Sequence, residues 1–301
     1  MASRKPFDAL RLVSAALSLL TVITVAAIVL FLVAGSVALF RHEGLAFFSK
    51  NHWYYRKEAF EAAAMLYGTA VVSSLAILLA TPLALATAIV SSEMLTERPR
   101  LALKLLIELL AGVPSVIYGL LGVLFLRNWM SSLFVRLRWN ADSGDTLLTA
   151  GVLLAVMVLP TLMTLFDDAF RSVAARDRDA ARGLGLTRAE VLGSVVIPQA
   201  MPGLLSAVLL ALGRALGETI AVFLVVGRAD NRLPRLGTIA HSLVDAGQTI
   251  TSKLGGAETN IAVGDPLHTS ALLALALTLF VAVSGITLIA SALRARMEPA
   301  A

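Results

Sequence analysis

Cysteine is absent from the 301-residue chain, which excludes disulfides, iron–sulfur clusters and thiolate zinc sites. Histidine is nearly as scarce. The four present, His42, His52, His241 and His268, show no ligand spacing, and no metal site is expected. The dipeptide Gly-Lys does not occur. Without it there is no G-x-x-x-x-G-K-[ST] phosphate loop, so the chain cannot itself be a P-loop ATPase. No catalytic residue and no cofactor is assigned. Charge is thin as well, because Asp, Glu, Lys and Arg together make up only 15% of the residues.

What fills the chain instead is apolar. Hydrophobic residues account for 58% and the mean hydropathy is +0.83, values foreign to a soluble globule of this size. Runs free of charge extend over Leu12 to Phe40, Ala62 to Ser92, Leu109 to Leu126, Thr146 to Phe166, Val191 to Gly213 (past two charges to Gly227), and Thr269 to Leu293. Each reaches the roughly 18 to 20 residues that cross a hydrocarbon core about 30 Å thick. The expectation is an all-α integral membrane protein with six transmembrane helices. The first run is too long for a signal peptide, whose apolar region covers about 7 to 15 residues. It reads as a retained helix.

Lys and Arg give the orientation. Arg4, Lys5, Arg11, Arg98, Arg100, Lys104, Arg171, Arg176, Arg178, Arg182, Arg188, Arg294 and Arg296 lie on one side. They narrowly outnumber the basic residues of the other side, which include a long loop from Arg228 to His268. Both termini and the loop around Asp179 are therefore expected in the cytoplasm. Trp53-Tyr54-Tyr55, Trp129 and Trp139 fall near the outer boundaries, where they suit either an interfacial belt or ordinary loop packing. The net charge of +5 and pI near 9.9 are spread over span flanks. That distribution fits contact with anionic membrane lipid and not nucleic acid.

The loop from Arg171 to Pro198 mixes Arg and Asp with Ala and Leu at helix-compatible spacing. Gly183 and Gly185 should end a first helix. Thr187 with Glu190 three residues on makes a capping box for a second, and Leu186 with Val191 can form a hydrophobic staple. In the fifth span, Arg214 and Glu218 stand near the middle of Leu204 to Val226. Each costs about 2.5 to 3.5 kcal/mol there, against about 0.3 to 0.6 returned by each Leu, Ile, Val or Phe. The segment is only marginally apolar, so its charges need polar surroundings. At i and i+4 they can pair on one helix face, either as a structural ion pair or as part of a polar pathway. In the third run, Ala111-Gly112-Val113-Pro114-Ser115 to Gly122 predicts a kink with freed carbonyls, tolerated only where protein or a water-filled cavity covers them. Ser115 and Tyr118 could line such a cavity; tight helix packing explains the glycines equally well. Pro82 and Pro160 predict further kinks. Outside, Leu236, Ile239, Ala240, Leu243 and Val244 fall at amphipathic spacing.

Asp179-Ala180-Ala181, Gly185, Val195, Ile197 and Pro198 resemble the EAA loop of binding-protein-dependent ABC importer permeases, E-A-A-x3-G-x9-I-x-L-P, with Asp for Glu, Val for Ile and Ile for Leu. The resemblance implies a type I importer permease fold in which Asp179, Ala180, Ala181 and Gly185 engage a cytoplasmic ATPase. Gly213-Arg214-Ala215-Leu216-Gly217-Glu218-Thr219 and the Val113 to Gly119 stretch are similar to phosphate-specific permease subunits, the C-type more than the A-type. The likeness covers Ala62 to Leu293. It divides the chain into an N-terminal helix and outer loop (1–61) and a permease core (62–297), with the EAA-type loop at about 171–198. It also implies an A-type permease as heterodimer partner, an ATPase dimer, an external phosphate-binding protein, a bacterial inner-membrane location, and Arg214, Glu218, Ser115 and Tyr118 along the translocation pathway. A permease for molybdate or sulfate, or a proton-coupled secondary transporter using Glu218, are the alternatives.

Overall fold

The computed structural model describes residues 6–139, 141, 143–233 and 242–295. In chain order the main elements are α1 (Pro6–His42), a hairpin of β1 (Trp53–Tyr54) and β2 (Ala59–Phe60), α2 (Ala63–Ile89) and α3 (Glu97–Ala111). Then follow α4 (Ser115–Arg136), α5 (Leu147–Arg171), α6 (Ala175–Gly183), α7 (Arg188–Gly217), α8 (Ile220–Val225), α9 (Ile250–Leu254) and α10 (Pro266–Ala295). Among the described residues, α1, α2, α4, α5, α7 and α10 are the six helices long and apolar enough to cross a membrane.

The centre of the bundle is the α2–α5 contact. Val72, Ala76, Ala80, Ala84 and Ala88 repeat every four residues on α2 and are all at most 2% exposed. They meet the row Leu154, Val158, Leu162, Phe166 and Phe170 of α5. Small residues on one helix let large ones on the other approach closely, which is how helices associate where lipid supplies no hydrophobic drive. Gly151 extends the fit, since a Cβ there would lie 2.6 Å from Leu75 Cδ2. Pro82 and Pro160 sit inside these two helices without interrupting them. α7 and α10 complete the bundle, and α1 packs chiefly on α10, where Leu273 fills the space left by Gly35.

The third span departs from expectation. The apolar run from Leu109 is not one helix: α3 stops at Ala111, and Pro114, at ψ 139°, heads a new helix from Ser115. Proline supplies no N–H and keeps its predecessor out of the α region, so the kink becomes a break. α4 consequently runs on past Arg127 to Arg136.

On the other side of the membrane from α6, a cap unites distant parts of the sequence. Leu39, Phe47, Trp53 and Phe60 share one apolar cluster with Ile250, Ala262, Leu272 and Leu275, so it joins residues on both sides of the 61/62 division. Trp53 and Phe60 are paired across the hairpin with rings 5.2 Å apart. At 4% exposure Trp53 belongs to this packing and not to a membrane interface, whereas Trp129 and Trp139 are exposed. Beside the rings lies Lys253, 2% exposed, whose Nζ is 2.8 Å from Asp230 Oδ2, 2.7 Å from Glu258 Oε1 and 5.2 Å from the Trp53 ring centre. His268, fully buried, places Nε2 2.7 Å from Glu258 Oε2. The amphipathic stretch expected from Leu236 to Val244 lies almost wholly outside the described residues.

Burial pushes the Glu258 carboxyl up, but the Lys253 hydrogen bond and charge and those of His268 outweigh it, leaving its pKa below the ordinary 4.5. A carboxylate lowered on folding stabilises the fold above its ordinary pKa, and that contribution disappears as pH falls through the folded-state value. Protection from hydrogen exchange over residues 43–62 and 250–268, taken relative to the intrinsic rate at each pH, is therefore expected to hold from neutral pH to about 4.5 and to fall below it. Lys253→Met, which takes the ammonium away from Asp230 and leaves Glu258 with His268 alone, should lower cap stability by about 3 kcal/mol at neutral pH.

Candidate functional site

Two regions carry the residues singled out from the sequence. The first is the loop between α5 and α7. Thr187 Oγ1 accepts from Glu190 N–H and Glu190 Oε2 accepts from Thr187 N–H, so the expected capping box is present. Gly185 adopts φ +87°, and a Cβ there would meet nothing within 4 Å. The glycine is needed for the backbone turn, not for space. α6 itself has two faces. Arg176, Asp179, Ala180, Arg182 and Gly183 are exposed, with Asp179 and Arg182 paired at 3.3 Å, and Leu184 just beyond is 83% exposed. Ala181 is only 6% exposed and packs in the core cluster of the spans, so it faces the subunit's own body and not outward with Asp179 and Ala180.

Arg178 shares that inward face. Its Nη1 donates to Glu93 Oε1 in the π-helical turn that ends α2, and its Nη2 donates to the carbonyl of Phe170 in the last turn of α5. In the sequence Arg178 counts only as one of the basic residues that set orientation. The i, i+3 spacing from Arg178 to Ala181 was the available signal, but it names the face without naming the partner.

The second region is where two interrupted helices meet. α4 packs on α8 through Gly119, at which a Cβ would lie 2.7 Å from Leu224 Cδ1 and 3.0 Å from Ala221 Cα. Behind it, Tyr118 is buried in the core and its hydroxyl donates to Leu110 O at 2.9 Å, satisfying a carbonyl freed by the break before Pro114. Tyr118 is thus turned to its own backbone, while Ser115 is half-buried at the start of α4.

The expected Arg214–Glu218 pair is not formed. The helical i, i+4 relation fails because α7 ends at Gly217, Glu218 is extended (ψ 123°), and Thr219 leads into α8. Glu218 is half-buried beside Thr69, Ser73, Thr249 and Thr251, and its Oε1 accepts weakly from Ala221 N–H at 3.4 Å. It thus helps satisfy a donor at the start of the next helix. Arg214 lies on the exposed surface of α7 and has no hydrogen bond or ion pair among the described residues. Gly213, next to it, faces Val283 and Thr287 of α10. A guanidinium on the side of a span is costly against lipid, so this surface is one that protein or water covers.

These placements separate the loop residues by experiment. Ala181→Glu buries an unpaired charge and is expected to cost the isolated subunit about 3 kcal/mol or more. Asp179→Lys is exposed and should change stability by no more than about 0.5 kcal/mol. Thermal unfolding of the two variants in detergent checks both.

The comparisons with known proteins agree with this architecture. The family model described as "Binding-protein-dependent transport system inner membrane component" matches residues 80–300. A "Phosphate transport system permease protein PstC" of Mesorhizobium japonicum is 36% identical over 280 residues, 88% of this chain and 83% of the relative. Its namesake in Pasteurella multocida is 34% identical over 287 residues, 91% and 87% of the two chains. A chain of a bacterial ABC transporter that imports the acidic polysaccharide alginate superposes with a TM-score of 0.54 at 16% identity, covering 91% of this chain and 95% of its own. A chain of the methionine ABC transporter MetNI gives 0.53 at 15%, covering 76% and 96%. The structural likenesses bear on the fold alone. With its six spans, its capped α6–α7 loop and this match over most of its length, the chain belongs to the family of binding-protein-dependent transport system inner membrane components.

Proposed function

We propose that the chain is a permease subunit of an ATP-driven phosphate importer, supplying half of the translocation pathway and performing no catalysis itself. The observation that carries the reading is the 36% identity, over 88% of the chain, with a phosphate permease. On this reading the other half of the pathway is an A-type phosphate permease. A pair of cytoplasmic ATPase subunits bears on α6, and an external phosphate-binding protein delivers substrate to the cap side. Both termini and α6 then face the cytoplasm.

Arg214 gives the reading its chemistry. A guanidinium offers a two-donor fork to a pair of phosphate oxygens, and the fork of Arg214, on the exposed side of α7, has no partner among the described residues. Glu218, one residue beyond the end of that helix, supports the break. It also offers a carboxylate that can accept a hydrogen bond from protonated phosphate, which fully ionised sulfate lacks the proton to donate. Ser115 and the break ahead of it begin α4, which packs against α8, and on this reading they add polar groups to the pathway. The pathway is a passive gate, and the energy enters through the partner ATPase.

Phosphate uptake in membranes containing the assembled complex is the test. Arg214→Gln is expected to abolish uptake while the complex still assembles, and Glu218→Gln to impair it. The double variant Arg214→Met with Glu218→Leu is expected to be inactive also. Near-normal uptake by that double variant at matched membrane levels would remove the pathway role from both residues. Orientation is checked separately in this cysteine-free chain. A cysteine replacing the exposed Lys57 should react with an impermeant thiol reagent in intact cells, and one replacing the exposed Ser194 only after lysis.

A further inference from the structure

α6 is held to the rest of the bundle by few side chains. Its chain connections are short: three residues, Ser172 to Ala174, from α5, and Leu184 to Thr187 into α7. Of its charged side chains, Arg176 pairs with Asp177 and Arg182 with Asp179, all within the helix. Ala181 supplies its one buried apolar contact among the described residues. Neither ion pair reaches α2, although α2 is the helix packed most extensively on α5.

Arg178 is the exception. The same guanidinium holds Glu93 at the end of α2 and the Phe170 carbonyl at the end of α5. Both carboxylate and guanidinium are only 15% exposed, so the pair is less screened than the surface pairs beside it. A planar fork fixes its two acceptors relative to one another. The partner at Phe170 is a carbonyl in the last turn of α5, approached otherwise by the Val173 N–H at 3.4 Å, and such a helix end is a favourable place for a cation. The contact is thus a rigid three-way junction of α6, α2 and α5.

We propose that Arg178, through Glu93, is a positioning residue that makes α2 move with α6, so that a displacement of α6 is passed to three spans and not only to the two joined to it by the chain. Without the junction α6 would still dock and still pull on α5 and α7, but α2 would lag. This rests on the reading that the exposed face of α6 bears on an ATPase. The two residues are separable from docking because both side chains point away from that face.

The test uses the assembled transporter in proteoliposomes, measuring ATP hydrolysis and phosphate uptake together. Glu93→Gln and Arg178→Gln should both retain the ATPase on co-purification and continue to hydrolyse ATP. Phosphate taken up per ATP should fall about tenfold, the scale of a typical coupling between sites. A chain with Glu93→Cys and Arg178→Cys, made in the cysteine-free background, should be equally uncoupled and should regain uptake per ATP when a short bismaleimide joins the two thiols. Unchanged uptake per ATP in both single variants, or no recovery on joining the thiols, would overturn the proposal. Loss of the ATPase from both single variants would also overturn it, by showing that the junction only shapes the docking surface. If the unaltered chain fails to retain an ATPase, the reading of α6 as a docking helix falls first and the proposal with it.

Discussion

The alanine stripe of α2 against the Leu154 to Phe170 row of α5 fixes the spacing from which the other elements take their positions. α3 and α8 lie against α5, α7 lies against both helices, and α9 reaches α2 from the cap. A larger side chain at Ala76 or Ala80 would have to displace a whole helix, since both positions are completely or almost completely buried. In a bilayer no hydrophobic gain would offset that displacement, because the lipid is as apolar as the side chains it replaces. The stripe therefore specifies the bundle more strictly than its modest chemistry suggests.

A second constraint follows from the absence of water. Every backbone group freed inside the hydrocarbon layer must find a protein partner, and both interruptions satisfy theirs locally. Tyr118 closes on Leu110, Glu218 on Ala221, and Thr219 Oγ1 on the Gly217 carbonyl at 3.2 Å. The interruptions are thus self-supporting features of one subunit and do not need a ligand to hold them open. Their meeting at Gly119 and Ala221 puts the two irregular segments of the sequence on one wall.

Local patterns were readable and long-range ones were not. The charge-free runs located five spans closely, because exclusion of charge is the property the membrane itself imposes. The capping box at Thr187 and the glycine turn at Gly185 were readable for the same reason, each being complete within a few residues. The third span was misplaced because Leu109 to Leu126 stays apolar across a backbone break that hydropathy does not register. Arg214 and Glu218 were paired on the assumption of unbroken helical spacing, and no residue type at Gly217 to Thr219 forbids a helix outright. Ala181 was grouped with Asp179 and Ala180 by motif, although adjacent residues on a helix point about 100° apart. The Lys253, Asp230, Glu258 and His268 cluster and the Arg178–Glu93 contact were not visible at all. Their members are brought together only by the tertiary fold.

The first helix has a mechanical character of its own. Every residue of α1 from Leu10 to Ile28 is exposed, yet near its C-terminal end Ser36 and Leu39 are buried and the Leu39 N–H donates to Ser270 Oγ at 2.9 Å. With 37 residues it is about 55 Å long at about 1.5 Å per residue, well beyond the hydrocarbon thickness of about 30 Å. A rod longer than its membrane tilts or projects, and this one is hinged at one end. Changes in bilayer thickness would swing its N-terminal end through the lipid while leaving the end beside Ser270 seated, so the cap would be spared mismatch that a helix fastened along its whole length passes on.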